Sequence, residues 1–142
     1  MQKYVLTDSC FWLGLVDPRD QHHSSARALD EIISAEQHTV LLPWPCLYES
    51  ISTRLIRNRT HTLKFEHLLK RPPVRLLDDT GYRNAALSAV FAASHIGQSY
   101  ALADGVIREM IKDRNLRIDY LLTFNAADFE DVCQARRIEL IG

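Results

Sequence analysis

The sequence predicts a three-layer α/β/α sandwich around a central, mostly parallel sheet. Short apolar segments alternate along the chain with segments whose apolar residues recur at spacings of three or four. This alternation is typical of strands joined by crossover helices, which cover both faces of a parallel sheet. The 142 residues are 46% hydrophobic and 25% charged, and no repeat or linker divides them. We therefore expect one domain over residues 1–142.

The first half of the chain contains two segments typical of buried strands. Residues 4–7 read YVLT, and residues 39–42 read TVLL before Pro43 and Pro45. Apolar residues at helical spacing follow each of them, as in Leu47, Ile51 and Leu55. The predicted elements are a strand at 4–7, a helix at 9–16, a helix at 21–36, a strand at 39–42, a helix at 46–58 and a helix at 60–70.

The second half continues the same alternation. Pro72 and Pro73 end a helix before the strand VRLL, and Asp79-Thr80 could cap a helix that stops at Gly97. Ser99 opens the next helix. The predicted elements are a strand at 74–77, a helix at 81–97, a helix at 101–113, a strand at 119–124, a helix at 127–136 and a strand at 137–141.

Composition excludes several classes of protein. No stretch of eighteen apolar residues and no signal-peptide pattern occurs, so we expect no membrane span and a cytoplasmic location. The three cysteines, Cys10, Cys46 and Cys133, are widely spaced and odd in number. This favours reduced thiols over a disulfide framework or a zinc site.

Four acidic residues lie where predicted strands end or helices begin. Asp8 follows the first strand, Glu49 lies early in the helix after the second strand, Asp104 lies near the start of its helix, and Asp128 follows LLTF. Ligands of a parallel sheet bind outside the carboxyl ends of its strands. We therefore expect these acids to converge at one edge.

Each acid also has a purely structural explanation. Asp8 could cap the helix that follows it, and Asp128 could favour a helix N-terminus. Asp104 could pair with Arg108 four residues later, and Glu49 could stay solvated. Asp8, Glu49 and Asp104 nevertheless interrupt apolar surroundings, where an unpaired charge is costly. Clustered carboxylates repel unless a cation lies among them, and oxygen ligands favour Mg²⁺ or Mn²⁺.

The residues now resemble a known family. The segments that carry the resemblance span nearly the whole chain: VLTDSCFW, DPRDQHH, PWPCLYES, ALAD and LLTFNAADF. They are similar to those of PIN-domain ribonucleases of the VapC type, the toxins of toxin-antitoxin pairs. The resemblance implies a PIN-like fold, a metal-dependent endoribonuclease, a small antitoxin that covers the site, and a homodimer.

The resemblance also implies the site residues. Asp8, Glu49 and Asp104 match the acids of the metal centre. Many members place an aspartate two residues after the threonine that matches Thr123, but here that position is Asn125. Asp128 is therefore our choice for the fourth catalytic and metal-binding carboxylate, with Asn125 as a neutral ligand or water holder in its place.

The expected chemistry is in-line attack of water on phosphorus, with the ion as Lewis acid and Glu49 orienting or deprotonating the water. Thr7 and Thr123, at two strand ends, are predicted to orient the carboxylates from a second layer. Ser9 could do likewise, or could cap its own helix.

One basic segment stands out in a chain of net charge -1. Between residues 51 and 75 the bases, opposed only by Glu66, are Arg54, Arg57, Arg59, Lys64, Lys70, Arg71 and Arg75. Charge alone favours a solvated helix face. Beside a nuclease centre, we expect Arg54, Arg57 and Arg59 to extend from Glu49 as an RNA-phosphate track. The RNA could be transfer, ribosomal or messenger.

Other functional classes fit less well. A haloacid-dehalogenase-like enzyme needs a second aspartate where this chain has Cys10, and no glycine-rich loop follows the first strand to bind a dinucleotide. The main alternative is a catalytically weak or inactive PIN-fold module that binds RNA or a partner. Asn125 is the residue that favours it.

Overall fold

The computed structural model describes residues 2–142, and its strands form one parallel sheet. In chain order these strands are β1 (Tyr4–Thr7), β2 (Thr39–Pro43), β3 (Val74–Leu77), β4 (Tyr120–Leu122) and β5 (Glu139–Ile141). Their order across the sheet is β3-β2-β1-β4-β5. The chain runs outwards from β1 to β3 and then crosses to the other side of β1. The carboxyl ends of β1 and β4 therefore flank a topological switch point, the usual ligand site of such sheets.

The helices form two packed groups that cover the sheet, which confirms the three-layer prediction. In chain order they are α1 (Ser9–Val16), α2 (His23–Ala35), α3 (Trp44–Ser50), α4 (Thr53–Ile56), α5 (Arg59–Leu69), α6 (Arg83–His95), α7 (Leu102–Lys112) and α8 (Glu130–Arg136). In one group α1 packs against α2 and α5, and in the other α7 packs against α6 and α8. The short α3 contacts both α1 and α7, so it bridges the groups beside the switch point.

The core explains why the apolar segments become strands. Val5 and Leu6 of β1 and Leu42 of β2 are fully buried, as expected for strands covered on both faces. From α1, Phe11 and Trp12 pack edge to face with their ring centroids 5.3 Å apart. No helix within residues 2–142 has the length and apolar character needed to cross a bilayer.

Two helix predictions differ from the structure. The helix predicted at 46–58 is interrupted, because Ile51 leaves helical geometry (ψ 66°) and Ser52 is extended (ψ 176°). Ile51 is 44% exposed, so no burial holds it in the helix, and Ser52 is a residue type that favours helix starts. Asp79 and Thr80 do not cap α6: residues 80–82 form a 3-10 turn, and the Asp79 carboxylate accepts a hydrogen bond from Arg83 instead.

The Thr7 hydroxyl lies in the core between three elements. It accepts a hydrogen bond from Trp12 Nε1 of α1 (2.8 Å) and donates one to the Leu41 carbonyl of β2 (2.8 Å). The hydroxyl therefore satisfies two buried polar groups of the core, whereas the sequence had led us to expect it to orient a carboxylate.

We predict that Thr7→Val lowers the free energy of unfolding by about 2 kcal/mol, because it leaves the Trp12 N–H buried without a partner and removes the hydroxyl's bond to the Leu41 carbonyl. Thr7→Ser keeps the hydroxyl, loses only one methyl group and is expected to cost about 1 kcal/mol. Urea denaturation measures both changes. Equal losses in the two variants would contradict a role for the hydroxyl.

Candidate metal centre

Asp8 lies at the carboxyl end of β1 and is fixed from two sides. The residue is 3% exposed, and Oδ1 accepts a hydrogen bond from the Ser9 backbone N–H at 2.7 Å. Oδ2 accepts one from the Thr123 hydroxyl at 3.1 Å. The capping role considered for Asp8 is thus present, but it occupies only part of the carboxylate. Its other contacts are longer: 3.4 Å from the Ser9 hydroxyl, 3.6 Å from the Cys10 thiol and 4.0 Å from the Cys46 thiol.

Thr123 and Asn125 follow β4 and lie beside Asp8. Thr123 is buried, and besides donating to Asp8 its hydroxyl accepts a hydrogen bond from the Asn125 backbone N–H at 3.0 Å. The Thr123 hydroxyl therefore contacts the Asp8 carboxylate, and its role in orienting a metal ligand stays a prediction. The Asn125 side chain is exposed at the same edge.

Glu49 reaches Asp8 from α3. The Ser9 hydroxyl lies between the two carboxylates, 3.3 Å from Glu49 Oε1 and 3.4 Å from Asp8 Oδ1. Asp8, Glu49 and Cys46 each place one potential ligand atom within 4.8 Å of the others, and no second group of this kind occurs in residues 2–142. Ser9 thus contacts both acids, and Cys46 is an addition that the sequence did not predict.

Asp104 and Asp128 lie near this cluster but do not belong to the group of ligand atoms formed by Asp8, Cys46 and Glu49. Asp104 lies in the first turn of α7, and Asp128 ends a 3-10 turn at residues 126–128. Burial and the charges of Asp8 and Asp128 raise the pKa of Asp104 to about 6. Burial and the charges of Asp8 and Asp104 likewise raise the pKa of Glu49. The charges of Asp8 and Asp128 thus reach Asp104, and the charges of Asp8 and Asp104 reach Glu49.

Arg108 does not pair with Asp104, although the two are four residues apart on α7. Its guanidinium donates to the Asp131 carboxylate at 2.6 Å and 2.9 Å. The structural explanation considered for Asp104 is therefore absent, and the Asp104 carboxylate keeps its charge without a basic partner among the described salt bridges.

Two thiols line the Asp8 carboxylate. Cys10 Sγ lies 3.6 Å from Oδ2, and Cys46 Sγ lies 4.0 Å from Oδ1. Burial, followed by the Asp8 charge, raises the pKa of Cys10 to about 11 and raises the pKa of Cys46 as well. Both thiols are therefore neutral near pH 7. Sequence reasoning missed them because it sought paired cysteines. The available signal was that Cys46 precedes Glu49 by three residues, on the same helical face.

Arg54, Arg57 and Arg59 are exposed, but they do not continue the helix of Glu49. The break at residues 51–52 turns the chain before α4, so the straight track expected from the sequence does not form. Arg54 instead lines a cavity of about 250 Å³ together with Arg19, Asn58 and His61.

Comparisons with known proteins identify the fold. No protein-family model and no curated protein matches the sequence. Among solved structures, the chain is similar to Mycobacterium tuberculosis VapC20, a toxin that cleaves the sarcin-ricin loop, with 17% identity, a TM-score of 0.66, and coverage of 89% of this chain and 94% of that one. It is also similar to VapBC2 from Rickettsia felis bound to a promoter DNA fragment, with 13% identity, a TM-score of 0.66 and 97% coverage of both chains. The chain therefore has the PIN-like fold of the VapC toxins, as the sequence resemblance implied.

Proposed function

We propose that this protein is a metal-dependent endoribonuclease and the toxin of a toxin-antitoxin pair. The observation that carries the proposal is the acidic cluster at the switch point of the sheet, where Asp8 and Glu49 place ligand atoms within 4.8 Å of each other and the charges of Asp8 and Asp128 reach Asp104. A chain of similar fold, VapC20, cleaves the sarcin-ricin loop of RNA. Acids at this place in this fold support cleavage of RNA phosphodiester bonds.

The donor set fits a hard divalent cation. Burial, followed by the charges of neighbouring carboxylates, raises the pKa of Asp104 and Glu49, and a bound cation would favour their charged forms. Mg²⁺ or Mn²⁺ held by Asp8, Glu49, Asp104 and Asp128 would supply a Lewis acid for the phosphate. Because the Cys46 thiol is neutral, it leaves these oxygens as the donors that such ions prefer.

Asp8 and Glu49 have different roles in this proposal. Asp8 is held by the Ser9 N–H and the Thr123 hydroxyl, so its orientation is set before any ligand binds. Glu49 is exposed at the edge of the site, where it can orient the attacking water and accept its proton. The raised pKa of Glu49 makes it a stronger base than a free glutamate.

RNA would follow the exposed arginines Arg54, Arg57 and Arg59. Guanidinium groups bind phosphate without reading base sequence, so they would add affinity, and the shape of the RNA would decide which RNA is bound.

An antitoxin would cover the site. An apolar groove of about 380 Å³ beside Glu49, lined by Tyr48, Leu87, Leu102 and other residues, supports such a partner. A homodimer remains part of this proposal.

A second candidate is a PIN-fold module that binds RNA or a partner without cleaving. Asn125 favours it, because a neutral amide replaces a carboxylate there and lowers the attraction for a second cation. Intact RNA across a broad panel with Mg²⁺ or Mn²⁺, together with persistent binding, would support this candidate over the nuclease.

We predict that Asp8→Asn abolishes metal-dependent RNA cleavage. The loss should exceed the roughly 10–100-fold effect typical of outer-shell partners, because Asp8 itself holds the ion. The measurement is degradation of total cellular RNA with Mn²⁺ and with chelator. Asp78→Asn, an exposed aspartate outside the site, is the control and should cleave like the wild type. Equal cleavage by wild type and Asp8→Asn would remove Asp8 from the site.

Replacing Arg54, Arg57 and Arg59 together by glutamine should weaken RNA binding and flatten its salt dependence. Each lost phosphate contact lowers the slope of log K against log[salt] by about 0.7 for single-stranded RNA. Binding of the inactive Asp8→Asn protein at several salt concentrations measures the slope. Arg114→Gln, at an exposed arginine beyond α7, is the control and should leave the slope unchanged. An unchanged slope in the triple variant would place the RNA elsewhere.

In chelator, Asp104→Asn should stabilise the protein at pH 7.5. The pKa of Asp104 is about 6 in the folded protein and about 3.8 when unfolded, so its stabilising contribution is complete below pH 3.8 and is lost as the pH rises through 6. The carboxyl is about half exposed, so solvent screening reduces the expected gain to about 1 kcal/mol.

Urea denaturation at pH 7.5 and pH 4.5 measures this gain, which should shrink at the lower pH. With saturating Mn²⁺ the wild type should become more stable than Asp104→Asn, because the ion stabilises the wild type more than the variant. Asp78→Asn should give no gain, since hydrogen bonds from Thr80 lower the pKa of Asp78. A loss of stability in Asp104→Asn with chelator at pH 7.5 would contradict the claim that the charged Asp104 carboxylate destabilises the folded protein.

A further inference from the structure

Arg108 of α7 is bonded to the segment that carries Asp128. Its Nη1 donates to the Asp128 backbone carbonyl at 2.8 Å and to Asp131 Oδ1 at 2.9 Å, and its Nη2 donates to Asp131 Oδ2 at 2.6 Å. The guanidinium also lies over the Tyr100 ring, 5.3 Å from its centroid. With 18% of its side chain exposed, Arg108 is fixed in place by four contacts.

These contacts connect α7, which carries Asp104, to the segment that carries Asp128. Asp104 precedes Arg108 by one turn of α7, so both side chains lie on the same helical face. Asp128 ends a 3-10 turn and is itself exposed. The bond to its carbonyl fixes the backbone from which its carboxylate extends. One side chain therefore ties the helix of Asp104 to the segment of Asp128.

The segment is anchored in the core by the fully buried Phe129, whereas Asp128 itself is exposed, so Arg108 supplies a bond at the exposed residue next to that anchor. The segment begins after the three-residue strand β4 and runs into the seven-residue α8. The turn itself is closed by the Asp128 N–H, which donates to the Asn125 carbonyl at 3.1 Å. Repulsion among the carboxylates favours moving Asp128 away from Asp104.

A direct role for Arg108 in binding RNA fits less well. Three N–H groups of its guanidinium are already donated to protein oxygens, and one face of the plane lies on Tyr100. A phosphate would have to compete with the bidentate Asp131 carboxylate, which is among the strongest partners available to arginine.

We propose that Arg108 is a positioning residue that holds Asp128 at the metal centre. Metal affinity and turnover then depend on a side chain that touches neither the ion nor the RNA. The proposal rests on the proposed function, since it assumes that Asp128 is a ligand of the ion.

The test is Mn²⁺ binding, measured from the electron paramagnetic resonance signal of free Mn²⁺ at neutral pH. Arg108→Lys keeps the positive charge but cannot form the bidentate fork. It should weaken Mn²⁺ binding by about tenfold or more, the size expected for an outer-shell partner. In RNA cleavage it should lower kcat and leave KM nearly unchanged, because the arginine does not hold the RNA.

A double-mutant cycle shows whether Arg108 acts through Asp128. Asp128→Asn should weaken Mn²⁺ binding in the wild-type background and add little in the Arg108→Lys background. Asp131→Asn is the milder variant, suited to a case in which Arg108→Lys does not fold, because the Asp131 side chain is 66% exposed. It should weaken binding in the same direction.

The matched control is Arg71→Lys. Arg71 forms a comparable two-bond pair with Asp30, at 2.9 Å and 3.3 Å, near the amino-terminal ends of β2 and β3. Its replacement should change stability without changing Mn²⁺ affinity. A general effect of losing a buried arginine fork would weaken Mn²⁺ binding in both variants and would overturn the proposal.

Two further outcomes would overturn it. One is wild-type Mn²⁺ affinity in folded Arg108→Lys or, where that variant does not fold, in Asp131→Asn. The other is a full, independent loss from Asp128→Asn in the Arg108→Lys background. Failure of the proposed function has a different signature, because the wild type itself would then neither bind Mn²⁺ nor cleave RNA.

Discussion

The hydrogen bond from Thr123 to Asp8 is the contact around which the site is arranged. It joins the carboxyl ends of β1 and β4 at 3.1 Å, across the switch point where the chain changes direction in the sheet. The buried strands on either side cannot shift without opening the core, so the Asp8 carboxylate has one position. Glu49, Asp104 and Asp128 are therefore arranged around an acid whose position is fixed.

The carboxylates that would bind a cation also lower the stability of the folded protein. Burial and the neighbouring carboxylates raise the pKa of Asp104 and Glu49, which means that the charged site costs folding free energy near neutral pH. The protein offsets this cost with backbone and hydroxyl donors on Asp8, but the Asp104 carboxylate receives no basic partner. Arg108, the nearest candidate by sequence, is committed to Asp131. A site left short of positive charge is the kind that binds a cation.

The sequence predicted the parts of this site that depend on local pattern. The apolar run before Asp8 and the proline-bounded strand before Glu49 indicated the sheet and its carboxyl edge, and the structure has both. It could not predict contacts between distant residues. The bond of Arg108 to Asp131 spans 23 residues, and the Thr7 hydroxyl reaches Leu41 across 34. The break at residues 51–52 depends on Ile51 lacking a place in the core, which helical spacing alone does not reveal.

Asn125 changes how the fourth acid must be supplied. A carboxylate at that position would lie three residues after β4, on a backbone whose N–H is bonded to the Thr123 hydroxyl. Asp128 lies three residues further on, exposed at the end of a 3-10 turn and next to the buried Phe129. Arg108 of α7 donates a hydrogen bond to the Asp128 backbone carbonyl. In the proposed metal centre, supplying the fourth charge from this turn would make the site depend on a residue of α7.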